Sequence, residues 1–165
     1  MAEPRRLLLL RHAKSSWDDP TLADHDRPLA PRGRKAAKRV RRHLRREEVG
    51  VSLVLCSSAR RARETLDLVA PGGRTEIEPE LYGASAGQLL ERLRRVPDEA
   101  GTVMLIGHNP AMQDLLVSLL AEPGDLATEK FPTGALATLA ISGSWPSLAT
   151  GRAELTALVV PRELA

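Results

Sequence analysis

Cysteine is nearly absent from this sequence, which contains only Cys56 among its 165 residues. One thiol excludes a framework of disulfide bonds and any zinc site built on several cysteines. Long apolar runs are also missing, since the N-terminal run 7–10 ends after four leucines, where Arg11 interrupts it. Such a run is too short for a signal peptide or a membrane span, so we expect a cytoplasmic protein with no membrane partner.

Aromatic residues are scarce as well, at 2% of the chain, and none of them lies within the basic segment 32–46. That segment carries nine Lys or Arg residues and no acidic residue, although the formal net charge of the chain is only +3. Such a run is usually a solvated helix face, and a docking surface for an acidic partner or nucleic acid is the alternative. Nucleic-acid binding typically interleaves aromatic side chains with the cations, so we expect no nucleic-acid partner.

The remaining composition is that of a globular protein, with 42% hydrophobic and 27% charged residues. The length fits one domain, spanning residues 1–165. Short apolar runs alternate with segments of helical periodicity, which predicts an α/β fold. We expect a three-layer α/β/α sandwich with a mostly parallel central sheet. Predicted strands cover 6–10, 51–56, 75–78, 102–106, 135–141 and 154–160, and predicted helices cover 33–46, 59–69, 86–96 and 110–120.

Polar side chains follow several of the predicted strands. Arg11 and His12 come after the first strand, Arg61 lies beyond the second, and His108 follows the fourth. Parallel strands bring their carboxyl ends to one edge, which is where open α/β sheets bind ligands. Arginine forks match phosphate oxygens, and a neutral imidazole can attack phosphorus. The sequence therefore predicts a phosphoryl-transfer site that needs neither a metal nor a cofactor.

Three motifs carry a resemblance to a known family. The segments LLLLRHAKSS, SSARRARET and IGHNP occur in this order, each beginning in or following a predicted strand. Together they resemble the motifs of the histidine phosphatase superfamily, also called phosphoglycerate mutase-like. The opening RHAKSSW and the segment DRPLAPRG look like those of small bacterial phosphohistidine phosphatases of the SixA type. This resemblance implies a phosphoglycerate mutase-like fold and a metal-independent phosphatase with a phosphohistidine intermediate.

The resemblance also implies roles for individual residues. His12 is the implied nucleophile. Three further residues are implied to form the phosphate pocket: Arg11, Arg61 and His108. Two more residues are expected to bind substrate: Arg27, in the DRPL segment, and Asn109, which follows His108 directly.

The general acid is implied to be a carboxylate after the third strand. Glu80 is the candidate, with Glu78 as the alternative. The chain lacks the longer pattern that marks many sugar-phosphate members of the family. A weak acid suits phosphohistidine, whose imidazole leaves readily, better than an alkyl phosphate, whose alkoxide must gain a proton.

We therefore expect a phosphatase whose substrate is phosphohistidine on a protein. The short segment 71–76 offers no large lid, which fits an open pocket and a protein-borne substrate. One alternative is a small-molecule phosphomonoesterase of the same superfamily. Another is a non-catalytic module that binds phospholigands or nucleic acid. Nothing in the sequence demands a dimer, so a monomer is compatible and the oligomeric state stays open.

Overall fold

The computed structural model describes residues 4–164, and these form a sheet of six strands. The strands are β1 (Arg5–Arg11), β2 (Leu53–Ser57), β3 (Arg74–Glu78), β4 (Thr102–Gly107), β5 (Leu136–Ile141) and β6 (Glu154–Val159). Their order across the sheet is β3-β2-β4-β1-β5-β6. The β1–β4, β2–β4 and β2–β3 pairs are parallel, whereas β5 runs antiparallel to both of its neighbours. The mostly parallel sheet is therefore confirmed.

Helices cover both faces of this sheet. Within residues 4–164 they are α1 (Pro31–Arg46), α2 (Arg60–Val69), α3 (Ala86–Arg94) and α4 (Ala111–Leu119). Helices α1 and α2 share a hydrophobic cluster on one face, and α3 and α4 share another on the opposite face. The expected three-layer α/β/α sandwich is confirmed. None of the helices in this part of the chain is long and apolar enough to cross a membrane.

The four leucines of β1 explain why the layers form on both sides. Leu8 and Leu10 pack in the cluster with α1 and α2, whereas Leu7 and Leu9 pack with α3 and α4. All four side chains are fully buried. Burial of each leucine side chain contributes roughly 1.5–3 kcal/mol relative to exposure. The continuous apolar run in the sequence thus reflects a central strand that is covered on both faces.

Local signals fix the ends of several elements. Pro31 lies in the first turn of α1, where the missing N–H costs nothing, and so the helix begins before the predicted residue 33. The hydroxyl oxygen of Ser85 accepts the backbone N–H of Gln88, and the backbone N–H of Ser85 donates to the side-chain oxygen of Gln88, so the two residues cap α3. Ala70 ends α2 in the left-handed region at φ 46°, directly before Pro71.

Candidate active site

Two histidines meet where the parallel strands end. His12 follows β1 and His108 follows β4, and the pairing of these strands places Arg11 opposite Gly107. Both chain segments leave the sheet at the same edge, so the residues that follow come together. The two imidazole centroids are 5.1 Å apart, and the ring planes make an angle of 50°. The structure thus brings together the two histidines that the sequence motifs single out.

His12 is buried, and only one of its ring nitrogens is free. Its Nδ1 lies 2.7 Å from the carbonyl oxygen of Ala13. Since a carbonyl oxygen only accepts, Nδ1 donates the proton and Nε2 keeps its lone pair. Burial, and to a lesser extent the neighbouring His108 and two arginines, lowers the pKa of His12 to about 3. At neutral pH the ring is therefore uncharged, with Nε2 available as a nucleophile.

His108 is held by the end of β2. Its Nε2 shares a hydrogen bond of 2.7 Å with Oγ of Ser57, and that hydroxyl also accepts the N–H of Ala59 at 3.2 Å. Burial, followed by the positive charge of Arg61, lowers the pKa of His108 to about 4. The second imidazole is thus also neutral in the free protein at neutral pH.

Arg27 and Arg61 are both buried and converge on one carboxylate. Nη2 of Arg61 donates to Oδ2 of Asp24 at 3.0 Å, and Nη1 of Arg27 donates to Oδ1 at 2.9 Å. Arg61 also donates to the backbone oxygen of Asp24 at 2.8 Å, and Arg27 donates through Nε to the Ser16 carbonyl at 3.0 Å. These contacts fix the planes of two guanidinium forks beside the histidines.

Asp24 is a residue that the sequence reasoning missed. The hydroxyl of Tyr82 donates to its Oδ2 at 2.5 Å, and this bond, together with those from Arg27 and Arg61, lowers the pKa of Asp24 to about 2. The carboxylate is therefore charged throughout the neutral range and orients the arginines. Its position three residues before Arg27, in the segment DHDR, was the available signal.

Arg11 and Asn109 are held by the same backbone carbonyl. Nη1 of Arg11 and Nδ2 of Asn109 each donate to the oxygen of Phe131 at 3.1 Å. Burial, and then the charge of Arg61, lowers the pKa of Arg11. Phe131 is itself fully buried, so the core anchors this carbonyl and both polar side chains that bind it.

Thr65 connects the segment after β1 with the helix that carries Arg61. Its Oγ1 accepts the N–H of Ala13 at 3.0 Å and donates to the carbonyl of Arg61 at 2.7 Å. The side chain is fully buried. Sequence reasoning missed this residue too, although it lies in the SSARRARET segment. Thr65 therefore positions the backbone next to His12 relative to α2.

These side chains line one pocket of about 280 Å³. Its lining residues are Arg11, His12, Lys14, Ser15, Trp17, Arg27, Arg61, His108, Asn109 and Thr133. Four of them are cationic, and none of the described lining residues carries a carboxyl group. A pocket with this charge fits an anion, and the arginine forks fit phosphate oxygens. Six of the seven site residues expected from the sequence lie here.

Glu80 is the one expected site residue that the structure does not bring to the pocket. It is exposed, in a short turn (Pro79–Leu81) that follows β3. The same turn carries Tyr82 to the site, where its ring centroid lies 5.6 Å from that of His108, but Glu80 is not among the residues that line the pocket. Glu78 accepts from Arg92 at 2.7 Å and 2.8 Å, and this ion pair lowers its pKa. The acid role of Glu80 stays a prediction that this geometry does not support.

Two further points concern the single cysteine and the residue types that bind metals. Cys56 is buried in β2, and burial raises the pKa of its thiol to about 12, so it is a core residue. In residues 4–164, no group of three or more His, Cys, Asp or Glu side chains is arranged to hold a metal ion.

Comparison with known proteins agrees with this site. The family model of the histidine phosphatase superfamily (branch 1) matches residues 7–95. The uncharacterized protein Rv1276c of Mycobacterium tuberculosis is 40% identical over 159 residues, covering 93% of this chain and 100% of the relative. The structure of the putative phosphohistidine phosphatase SixA of Nakamurella multipartitia has a TM-score of 0.87 and 32% identity, covering 97% of this chain and 98% of the other. The corresponding Agrobacterium tumefaciens structure has a TM-score of 0.82 and 29% identity, covering 97% and 100%.

The sandwich fold and the cationic pocket with two histidines define a hydrolase of the phosphatase class. The family model spans more than half of the chain and includes His12, Arg27 and Arg61. The chain belongs to the histidine phosphatase superfamily, and its fold is similar to that of the SixA structures.

Proposed function

We propose that this phosphatase hydrolyses phosphohistidine on a protein, with Nε2 of His12 as the nucleophile. The observation that carries the proposal is the state of His12. Its Nδ1 is bound to the Ala13 carbonyl, and its lowered pKa leaves Nε2 unprotonated beside the arginines. The two SixA structures, each of which is named a putative phosphohistidine phosphatase, support this substrate.

The reaction proceeds in two displacements at phosphorus. In the first, the lone pair of Nε2 forms a bond to phosphorus while the bond from phosphorus to the substrate imidazole breaks. The departing nitrogen takes a proton from solvent. In the second, a water oxygen attacks phosphorus, the bond to Nε2 breaks, the water proton is released to solvent, and inorganic phosphate leaves.

Four side chains stabilise the transferring group in this proposal: Arg11, Arg27, Arg61 and His108. Guanidinium donors match the equatorial oxygens, where negative charge is concentrated, and they are already oriented by Asp24 and Phe131. Such fixed donors are usually the largest contribution to catalysis. Asn109 lines the same pocket and shares the Phe131 carbonyl with Arg11.

The leaving group distinguishes phosphohistidine from ordinary phosphate esters. The described lining of the pocket offers no carboxylic acid to protonate an alkoxide. An imidazole needs less assistance, because it leaves as a stable neutral or protonated ring. The pocket chemistry therefore favours a phosphoramidate over an alkyl ester.

A small phosphomonoester is the second candidate, and a neighbouring cavity favours it. This cavity of about 390 Å³ shares His108 and Asn109 with the catalytic pocket and is otherwise bounded mainly by residues 81–89 and 110–114. It has room for the organic part of a small metabolite.

The test is a paired assay with a chelator present. A histidine-phosphorylated peptide and a panel of small phosphomonoesters are compared by kcat/KM. We expect a preference of at least about tenfold for the phosphopeptide, because its imidazole leaving group can take its proton from solvent, whereas an alkoxide needs an acid from the protein. A preference for one ester would assign the protein to small-molecule metabolism. Turnover of neither substrate would contradict the proposal and favour the non-catalytic phospholigand module.

A further inference from the structure

A second basic pocket adjoins the catalytic one. It has a volume of about 320 Å³, and five of its lining side chains are cationic: Lys14, Arg32, Lys35, Arg39 and Arg162. Lys14 and Thr133 line both pockets, so the two are adjacent. We call the second one the α1 basic pocket. It includes part of the charge run that the catalytic site does not use.

Three separate parts of the chain build this pocket. Arg32, Lys35 and Arg39 lie three and four residues apart on α1, so they share one face of the helix. Lys14 comes from the segment after β1, and Arg162 from the short C-terminal turn. Cations that converge from distant segments are not explained by a solvated helix face alone.

Gly33 allows α1 to lie directly beside the catalytic segment. A Cβ atom at this position would be 2.1 Å from the carbonyl oxygen of Lys14. The same carbonyl accepts the N–H of Ala30 at 2.9 Å. The close approach fixes the α1 basic pocket next to the residues that follow His12.

The positive charge of this pocket is not neutralised within the described chain. No acidic side chain lines it, and none of its five cations forms an ion pair with a carboxylate in residues 4–164. The cavity of about 390 Å³ that shares His108 and Asn109 with the catalytic pocket has no Lys or Arg in its lining and includes Asp114. The field around the catalytic pocket is therefore asymmetric and attracts anionic groups toward α1.

We propose that the α1 basic pocket binds an acidic segment of the protein substrate, one that carries Asp or Glu side chains next to its phosphohistidine. This inference rests on the proposed function and identifies which phosphoproteins the site selects. Carboxylates on that segment pair with the cations of α1 while the phosphoryl group occupies the catalytic pocket. Such complementarity acts mainly on the encounter rate and is weakened by salt.

The test compares two triple variants of α1. Arg32→Gln/Lys35→Gln/Arg39→Gln removes three charges from the pocket and leaves the catalytic lining intact. Lys38→Gln/Arg42→Gln/Arg45→Gln removes three exposed charges from the same helix outside the pocket and is the matched control. The substrates are two histidine-phosphorylated peptides, one with flanking glutamates and one with flanking glutamines.

We expect the pocket variant to lose about tenfold in kcat/KM on the glutamate peptide, with kcat unchanged. Its activity on the glutamine peptide stays near that of the parent protein, and the control variant retains the preference for glutamates. The loss shrinks as salt is raised. Equal kcat/KM for both peptides in the parent protein, or equal losses in both variants, would overturn the inference.

A binding measurement separates this inference from the proposed function. A fluorescent glutamate peptide without phosphate is titrated with each protein and followed by anisotropy, so the result does not depend on turnover. We expect weaker binding only in the pocket variant. Unchanged binding in that variant would refute the acidic-segment site even if phosphohistidine is hydrolysed. Preferential binding of a single-stranded DNA oligomer of equal charge would refute it in favour of nucleic acid.

Discussion

Two uncharged imidazoles lie beside a cluster of arginines, and burial and the positive charge of the arginines lower the pKa of both histidines. Burial and the charges of Arg11 and Arg61 make protonation of His12 and His108 unfavourable. A phosphate dianion in the pocket has the opposite effect, because an anion nearby raises the pKa of an imidazole. We therefore expect the empty site to hold a neutral nucleophile, and the occupied site to favour a protonated His108 that donates to phosphate oxygens.

Titration of the two site imidazoles tests this residue-scale account. In spectra of the ring carbons, His12 and His108 should stay neutral as the pH falls from about 7 to 5, whereas in the urea-unfolded chain they titrate near the ordinary value of roughly 6.5. Adding inorganic phosphate should raise the pKa of His108. A pKa of His12 near the ordinary value in the folded protein would contradict the assignment of His12 as a neutral nucleophile.

The same shifts determine how stability depends on pH. The unfolded chain binds more protons than the folded one below about pH 6.5, so the free energy of unfolding should fall as the pH drops toward 4. Each imidazole contributes at most about 1.4 kcal/mol per pH unit. The free energy of unfolding is measured in urea at several pH values for the parent protein and for His12→Ala. It should depend less steeply on pH in the variant. An identical dependence on pH in both proteins would show that folding does not shift the pKa of His12.

At the scale of elements, the segment after β1 is held from two sides. Thr65 on α2 binds the N–H of Ala13, and Gly33 on α1 packs against the carbonyl of Lys14. Helices that belong to one face of the sheet thus determine the position of the nucleophile.

Loss of the Thr65 hydroxyl should affect both stability and catalysis. Thr65→Val keeps the shape but leaves the buried N–H of Ala13 without a partner, so we expect a loss of about 1–3 kcal/mol. We also expect a lower kcat, because the segment carrying His12 loosens. Thr65→Ser retains the hydroxyl and should recover most of both, as measured by urea unfolding and steady-state kinetics. If Thr65→Ser were no more stable and no more active than Thr65→Val, the hydrogen bonds of the Thr65 hydroxyl would not be what positions this segment.

Gly33→Ala tests the contact between α1 and the catalytic segment. The added methyl group cannot fit 2.1 Å from the Lys14 carbonyl, so the helix or the segment must shift. We expect destabilisation of about 1–3 kcal/mol and reduced activity. Gly87→Ala on α3 is the control, since a Cβ atom added at Gly87 would have its nearest neighbouring atom 3.9 Å away. We expect this substitution to leave the thermal unfolding temperature unchanged or to raise it. Similar effects of both substitutions would show that the close approach is unimportant.

At the scale of the whole molecule, strand ends were predictable and strand order was not. The apolar runs of β1 and β4 marked two strand ends, so the convergence of His12 and His108 could be inferred from sequence. Sequence does not show that the turn after β3 brings Tyr82 rather than Glu80 beside His108, so the acid role of Glu80 stays a prediction. Asp24 and Thr65 were missed because their roles depend on loop conformation and on a buried hydroxyl. The α1 basic pocket could not be predicted, because the sequence does not show that Arg162 lies beside α1 in the folded chain.

Trapping the covalent intermediate tests the central claim most directly. The protein is mixed with a labelled histidine phosphopeptide, quenched in alkali, where phosphohistidine is stable, and mapped by mass spectrometry. We predict phosphate on His12, none in His12→Ala with an unchanged circular dichroism spectrum, and full labelling in His43→Ala, which alters a histidine outside the pocket. Phosphate on another residue, or full turnover by His12→Ala, would contradict the account.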